Sequence, residues 1–280
     1  MENAINIDTL LKRHADGNSI RDIRRIIAHL KGTSYENVFF HGSELFFTPE
    51  EHACFINMLC RYEAQEPISK IIHRKSFWKY DFFVNESVLD PRPETELIIE
   101  LVLRHFNPAD QLKFFDFGAG SGCILLSLLH EFKKSTGIGI DISAKAVDVA
   151  IHNRQMLGVK GATFLNASWN DPLDIMTAPC DVVVSNPPYV RTQDIALLEE
   201  SVRKYDPPEA LDGGANGLDA YVQIAQVSQK ILKKGGMIFL EIGCDQAVDV
   251  ARILEAVGYG SISVEKDLQM LDRVVYAFRC

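Results

Sequence analysis

The chain has 280 residues, 47% of them hydrophobic, and a formal net charge of −9. That apolar content supports a sizeable core and excludes a disordered chain. The acidic balance argues against a sequence-independent grip on phosphate backbones, which takes clustered Lys and Arg. The length suits one large domain and one small one. The cysteines, Cys54, Cys60, Cys123, Cys180, Cys244 and Cys280, form no CxxC pair, and none has a histidine at zinc-ligand spacing. They are expected to be free, buried thiols of a reducing cytosol, with no metal site. The opening MENAINIDTL is unlike a signal peptide, and no apolar run approaches the roughly 20 residues that span a bilayer. A cytoplasmic protein without membrane contact is expected.

Over residues 1–64 apolar residues recur at helical spacing, as in Ile20, Ile23, Ile26, Ile27 and Leu30. Thr48, Pro49 and Glu51 have the pattern of an N-cap, a first-turn proline and a capping-box partner. A small helical bundle is predicted there, with nothing catalytic in it. In KSFWKYDFFVNESVL, within residues 65–90, Trp78, Tyr80, Phe82 and Val84 alternate as in a strand, and NES is expected to turn the chain back. A β-hairpin linker fits. DPRPETELIIELVLRHF then begins a helix after two prolines, with acids in its first turn.

From residue 113 strands alternate with helices: KFFDFG, CILLSLLHEF, GIGID, SAKAVDVAIHNRQML, ATFLNA, DVVVS, LDAYVQIAQVSQKIL, GMIFLEIG and QAVDVARILEAVG. SISVEKD and RVVYAF close the chain with no helix between them. Residues 91–280 are therefore predicted to form an α/β domain with a doubly wound, mainly parallel sheet and an antiparallel pair at one edge.

FDFGAGSG places Gly118, Gly120 and Gly122 between a strand and a helix, where glycine allows a tight turn and close approach to a ligand. Asp141 ends the next strand 19 residues after Gly122, near the roughly 20 expected of an acid that accepts from ribose hydroxyls. Together they point to a nucleoside site. The pattern is GxGxG, neither the GxGxxG of dinucleotide folds nor a phosphate-cradling P-loop. Asp116 either accepts from a ligand amino group or hydrogen-bonds the loop's own amides. Trp169 either flanks a flat base or packs in the core.

After the valines of DVVVSNPPYV, Asn186, Pro187, Pro188 and Tyr189 form a stiff corner at the strand's carboxyl end, the edge that hosts ligands in open α/β sheets. The Asn186 side-chain carbonyl and the Pro187 backbone carbonyl can accept two hydrogen bonds from one NH₂ group, with Tyr189 offering a flat surface. The alternative is a rigid turn that merely ends a strand.

These residues resemble the S-adenosylmethionine-dependent methyltransferases of the class I (Rossmann-like, seven-stranded) fold, in which the NPPY-type corner marks enzymes acting on a planar nitrogen. More narrowly, VLDPRPETE, FDFGAGSG, GIDIS, SNPPYV, EALDGGANGLDAY, GGMIFLEIG and DLQMLDRVV are similar to the peptide chain release factor N5-glutamine methyltransferases, the PrmC/HemK family. The resemblance implies methylation of the glutamine in the Gly-Gly-Gln motif of release factors, an activity in translation termination. A monomer with no stable nucleic-acid partner is expected. The resemblance also implies S-adenosyl-L-methionine as donor and S-adenosyl-L-homocysteine as product. It assigns the donor site to Asp116, Gly118, Ala119, Gly120, Ser121, Gly122, Asp141, Trp169 and Asn186. Catalysis falls to Asn186, Pro187 and Tyr189, with Pro188 beside them against the substrate. The helical domain becomes a substrate-docking domain. The linker keeps Glu66, Pro67, Phe77 and Trp78 of the family pattern but carries Lys70 for an aromatic residue and His73 for a glycine. Arg92, between two prolines, either faces the site or, the favoured reading, is a salt-bridge partner that pins the linker. Rival readings are an N6-adenine-type nucleic-acid methyltransferase, a nucleotide-dependent oxidoreductase and a binding module without activity.

Overall fold

The computed structural model describes residues 5–14, 20–171 and 179–280. The first four residues, read above as no part of a leader, lie outside them. The chain divides into two compact units, residues 1–74 and 75–280.

The first unit is built on helices Ile7–His14, Ile20–Leu30, Tyr35–His41, Pro49–Glu63 and Ile68–Ile71. Its core gathers Ile7, Leu10, Ile23, Ile26, Ile27, Phe47 and Phe55. The Thr48 side chain accepts from the Glu51 amide and the Glu51 carboxylate from the Thr48 amide, closing the capping box. A two-residue ladder pairs Ile5–Asn6 with Phe46–Phe47, which the helical periodicity did not indicate. His73 adopts φ +52°, the left-handed region natural to the glycine it replaces and one that histidine tolerates better than most residues. Lys70 is 2% exposed.

The second unit opens with the hairpin Lys75–Phe77 and Tyr80–Phe82. Its reversal lies at Trp78-Lys79, not at NES. Trp78 takes φ +56°, and its amide and indole N–H donate to Glu96 and Glu131, so tertiary partners hold a residue that reads as a strand former. NES instead forms part of a turn, with the Val88 amide donating to the Asn85 carbonyl.

Seven strands follow, β1 (Lys113–Phe117), β2 (Thr136–Asp141), β3 (Ala162–Asn166), β4 (Cys180–Ser185), β5 (Leu232–Glu241), β6 (Tyr259–Lys266) and β7 (Asp272–Arg279). Their order is β6-β7-β5-β4-β1-β2-β3. β1 pairs in parallel with both β2 and β4, while β7 runs antiparallel between β5 and β6. Helices α1 (Glu96–His105), α2 (Cys123–Glu131) and α3 (Ala144–Met156) cover one face. There Ile98, Leu125 and Val147 meet Phe114 and Val184. Helices α4 (Asp219–Ile231) and α5 (Ala247–Ala256) cover the other, where Tyr221, Ile224 and Val250 meet Phe117 and Val183. Because both faces are covered, β1 and β4 read as nearly unbroken apolar runs.

The chain order reverses between β1 and β4, so their carboxyl ends bound the crevice where such sheets bind ligands. The buried Asn153 of α3 exchanges two hydrogen bonds with the Phe83 backbone and donates a third to the Ser121 carbonyl. All six cysteines are free, but Cys54, Cys60, Cys244 and Cys280 are exposed, so only Cys123 and Cys180 match the buried thiols expected. Among the described residues no helix is long and apolar enough to cross a membrane.

Candidate functional site

The loop after β1 is held from behind. The amides of Gly118 and Ala119 donate to the Ile140 carbonyl at 3.0 and 2.9 Å, fixing the loop to the end of β2. Gly118, Gly120 and Gly122 have φ +70°, +53° and +78°. The glycines serve different ends. A Cβ on Gly122 would lie 2.8 Å from Phe164 and 3.2 Å from Ala150, whereas one on Gly120 would meet nothing within 4 Å. Gly122 seats α2 against the sheet; Gly120 leaves its surroundings open.

Asp141 accepts from the Gly120 amide with one oxygen and the Ser143 amide with the other, both at 2.9 Å. Each oxygen retains a lone pair, so the carboxylate can still accept from a diol. Burial raises its pKa, and the two amides pull it back.

A cavity that opens to solvent lies over this loop. Its wall includes Gly118, Ala119, Gly120, Ser121, Asp141, Trp169, Asn186 and Pro188. The expected site residues Asp116, Gly122, Pro187 and Tyr189 are not among the residues lining it. Asp116 is fully buried, and among the described residues neither of its oxygens has a partner in good hydrogen-bond geometry. Burial pushes its carboxyl well above the usual carboxylate range, the Asp141 charge adds to this, and the Leu125 amide at the start of α2 softens it. The Gly118, Ala119 and Gly120 amides are satisfied by Ile140 and Asp141 and the Gly122 amide by the Ala119 carbonyl, not by Asp116. Trp169 is half-buried, donates its indole N–H to Gln223 at 2.6 Å, and packs on the core while facing the cavity.

At the corner after β4, the Asn186 NH₂ donates to Thr95 Oγ1 at 3.2 Å. No described residue donates to Asn186 Oδ1 or to the Pro187 carbonyl. The Tyr189 hydroxyl donates to Glu241 Oε1 at 3.5 Å, and burial raises the Tyr189 pKa. The Tyr189 carbonyl accepts from Gln246, whose Nε2 also donates to the Gly217 carbonyl and whose Oε1 accepts from Tyr221 and the Gly243 amide. With all its polar capacity used, this 3%-exposed side chain anchors the corner to the DGGANG loop.

Arg92 faces the cavity and is also salt-bridged, but to Asp206 across the cavity and not within the linker, and several other wall residues carry no signal of their own in the sequence. Pro91, Arg92 and Thr95 form one side and Pro207, Glu209 and Ala210 another. Arg92 joins the two sides, donating to Asp206 at 2.9 Å. Thr95, Glu241 and Gln246 were legible only as parts of motifs, each an ordinary cap, strand end or helix start in isolation.

The strand order, with β7 inserted antiparallel beside β5, and a nucleoside cradle set against an amide-bearing corner define an S-adenosylmethionine-dependent class I methyltransferase. A family model described as a methyltransferase domain matches residues 108–273. The chain is 38% identical over 260 residues to a release factor glutamine methyltransferase of Rhodospirillum rubrum, covering 92% of this chain and 78% of that one. It is 42% identical over 227 residues to the one of Caulobacter vibrioides, covering 81% and 78%. It belongs to the release factor glutamine methyltransferase family. A methyltransferase structure from Pyrococcus furiosus shares the fold, with a TM-score of 0.54 and 15% identity over 80% of this chain and 98% of that one.

Proposed function

We propose that the protein transfers a methyl group from S-adenosylmethionine to the side-chain N5 of the glutamine in the Gly-Gly-Gln motif of peptide chain release factors, with the helical domain, residues 1–64, docking the substrate. The observation that carries this reading is the Asn186 amide. Its NH₂ end is occupied by Thr95 and its oxygen left for a ligand on the cavity wall.

The residues present fit the donor. The open space at Gly120 admits a ligand against the loop backbone, Asp141 has lone pairs left for ribose hydroxyls, and the orphaned Asp116 carboxyl lies behind the loop. Trp169 flanks the base side. S-adenosylmethionine, when bound, supplies a methyl group on a positively charged sulfur.

The rest falls to the corner. Asn186 Oδ1 and the Pro187 carbonyl accept the two N–H bonds of the substrate amide, and Tyr189 and Pro188 confine its plane. An amide nitrogen is a poor nucleophile, so fixed orientation supplies most of the rate. The same two carbonyls stabilise positive charge growing on nitrogen. No strong base is required, because the methylated amide is acidic and loses its proton readily.

The test is transfer of labelled methyl to release factors, to Gln→Ala versions of the motif, and to tRNA or DNA. Label is expected on the motif glutamine, absent from the Gln→Ala substrate. Asn186→Ala should cut turnover by about 10²–10³-fold with donor affinity kept. Label on nucleic acid, or full turnover by Asn186→Ala, would overturn the reading.

A further inference from the structure

Two of the four residues of the corner are prolines, so the backbone at Pro187 and Pro188 offers no N–H by which neighbours could hold it. The ties fall on the residues that follow. The Tyr189 carbonyl accepts from Gln246 Nε2 at 3.0 Å. The Val190 amide donates to the Leu211 carbonyl at 3.0 Å and the Val190 carbonyl accepts from the Gly213 amide at 2.8 Å, a parallel bridge across from Asp212. The Thr192 amide continues it to the Gly214 carbonyl at 3.0 Å. Apart from Gln246, these partners all belong to EALDGGANGLDAY, residues 209–221. Only Glu209 and Ala210 of that stretch line the cavity, so its glycines do no work on the ligand directly.

We propose that Gln246 is a positioning residue for methyl transfer and that, with the loop 212–217, it sets where the corner holds the substrate amide. The inference rests on the amide-methylation reading above and names what keeps its acceptors in place.

The orientation of the Gln246 amide is fixed by backbone groups that admit no flip. Its Oε1 meets the Gly243 amide at 2.9 Å, a group that only donates. Its Nε2 meets the Tyr189 and Gly217 carbonyls at 3.0 Å each, groups that only accept. The Tyr221 hydroxyl shares its one proton between Gln246 Oε1 at 3.2 Å and the Glu241 carbonyl at 3.0 Å. One planar group therefore joins the corner, the glycine-rich loop and the backbone just beyond β5.

The loop must come close for this. A Cβ on Gly213 would lie 2.8 Å from the Pro188 carbonyl oxygen and 2.8 Å from Tyr189 Cα. One on Gly217 would run into the Tyr189 carbonyl and sit 2.7 Å from Gln246 Nε2. Glycine lets backbone lie against backbone, and Gln246 staples the two. The Pro187 carbonyl, one of the two acceptors for the substrate amide, lies only two residues before the stapled one. Pro188 stands between them with its φ fixed, so a shift at Tyr189 is passed to that acceptor rather than absorbed. A misplacement of about 1 Å in such a site costs on the order of 10²-fold in rate.

The experiment compares Gln246→Met, Gly217→Ala, their double variant and Gln229→Met with the wild type. Gln246→Met keeps the length of the side chain and removes its hydrogen bonds. Gln229→Met is the matched control: Gln229 also ties a backbone carbonyl, that of Val257 at 2.9 Å, but in the last turn of α4. Four quantities are read: donor Kd by calorimetry, KM and kcat with the release factor, and hydrogen exchange of the Val190 and Gly213 backbone amides. Gln246→Met should lower kcat by about 10–100-fold and leave donor Kd and KM within about threefold. It should speed exchange of the two amides by about tenfold or more. Gln229→Met should leave all four quantities within about threefold of the wild type. Gly217→Ala should also be slow. The double variant should be no more than about threefold slower than the slower single one, because both act through the Tyr189 carbonyl.

Full kcat in Gln246→Met, an equal loss in Gln229→Met, donor affinity that falls as far as kcat, or losses that multiply in the double variant would each overturn the proposal. Should Gln246→Met not fold, Gly217→Ala carries the same comparison against the control. A wild type that does not methylate the release factor would instead fail the functional reading. Amide exchange then decides the role of Gln246 alone, and unchanged exchange at Val190 and Gly213 in Gln246→Met would sink it.

Discussion

Replacing Gly122 by alanine separates what the glycine loop does for the fold from what it does for the ligand. Gly122 has φ +78°, where an L-residue costs about 1–2 kcal/mol. The new methyl would also sit 2.8 Å from Phe164, 3.2 Å from Ala150 and 3.2 Å from Leu126, all in the core between α2, α3 and β3. Crowding of that kind typically costs about 1–3 kcal/mol. The sum, about 2–5 kcal/mol, is a large share of the roughly 5–15 kcal/mol that holds a domain together. At about 2–4 °C per kcal/mol for a domain of this size, the midpoint should fall by roughly 4–20 °C. Both tryptophans, Trp78 and Trp169, belong to residues 75–280, so thermal or urea melts followed by tryptophan fluorescence report that unit alone. A Gly122→Ala protein within about 0.5 kcal/mol of the wild type would refute both the strain and the packing argument.

Gly120→Ala should behave in the opposite way. Its φ of +53° leaves a strain of about 1–2 kcal/mol, but its methyl meets no neighbour and enters ligand space, so donor affinity measured by calorimetry should fall far more than stability does. Asp141→Ala removes the acceptor shared by the Gly120 and Ser143 amides as well as the one left for a diol. Loss of about 1.5–3 kcal/mol per charged hydrogen bond should weaken donor binding by at least tenfold, read by the same titration. The pH dependence of stability has a definite sign. Glu241 sits at about 7 when folded against an ordinary 4.5, so the folded state holds the extra proton between these values. Its contribution is therefore full below pH 4.5 and is lost as pH rises through 7. Buried Asp116 acts in the same direction. Glu241→Gln should flatten the fall in unfolding free energy across that window, followed by urea titrations at fixed pH values.

The repeating strands and helices from residue 113 onward were legible because each has one strong local signal. Apolar runs such as Val182–Val183–Val184 mark doubly covered strands, and Ser143 caps α3 where an N-cap residue precedes a helical pattern. The meeting of the glycine loop with Asp141 was legible through a spacing, Gly122 to Asp141, that parallel strands impose. The hairpin reversal was not, since Trp78 turns there only because Glu96 and Glu131, distant in sequence, accept its two N–H groups. The far walls of the cavity were hidden for a similar reason. Arg92 and Asp206 are 114 positions apart, and nothing local to either says they meet. Glu241 ends an apolar strand, a place where a solvated acid is the common finding. Only the surrounding Tyr189, Tyr221, Thr95 and Arg273 make it a buried one.

Asn153 lends its side chain to the backbone of Phe83 as a neighbouring strand would, one acceptor at 2.7 Å and one donor at 3.0 Å, and ties its remaining hydrogen to the Ser121 carbonyl at 2.9 Å. Val84 and Val88 pack on Ala146 and Val149 of the same helix, and Ser87, Val88 and Leu89 continue into the cavity wall. The stretch after the hairpin is thus a strap fastened to α3, and its buckle is a single amide plane that also grips the glycine loop. A pull on the chain at Phe83 must either break a bond to Asn153 or drag the Ser121 carbonyl with it. Force applied at the hairpin therefore reaches the glycine loop without crossing the sheet.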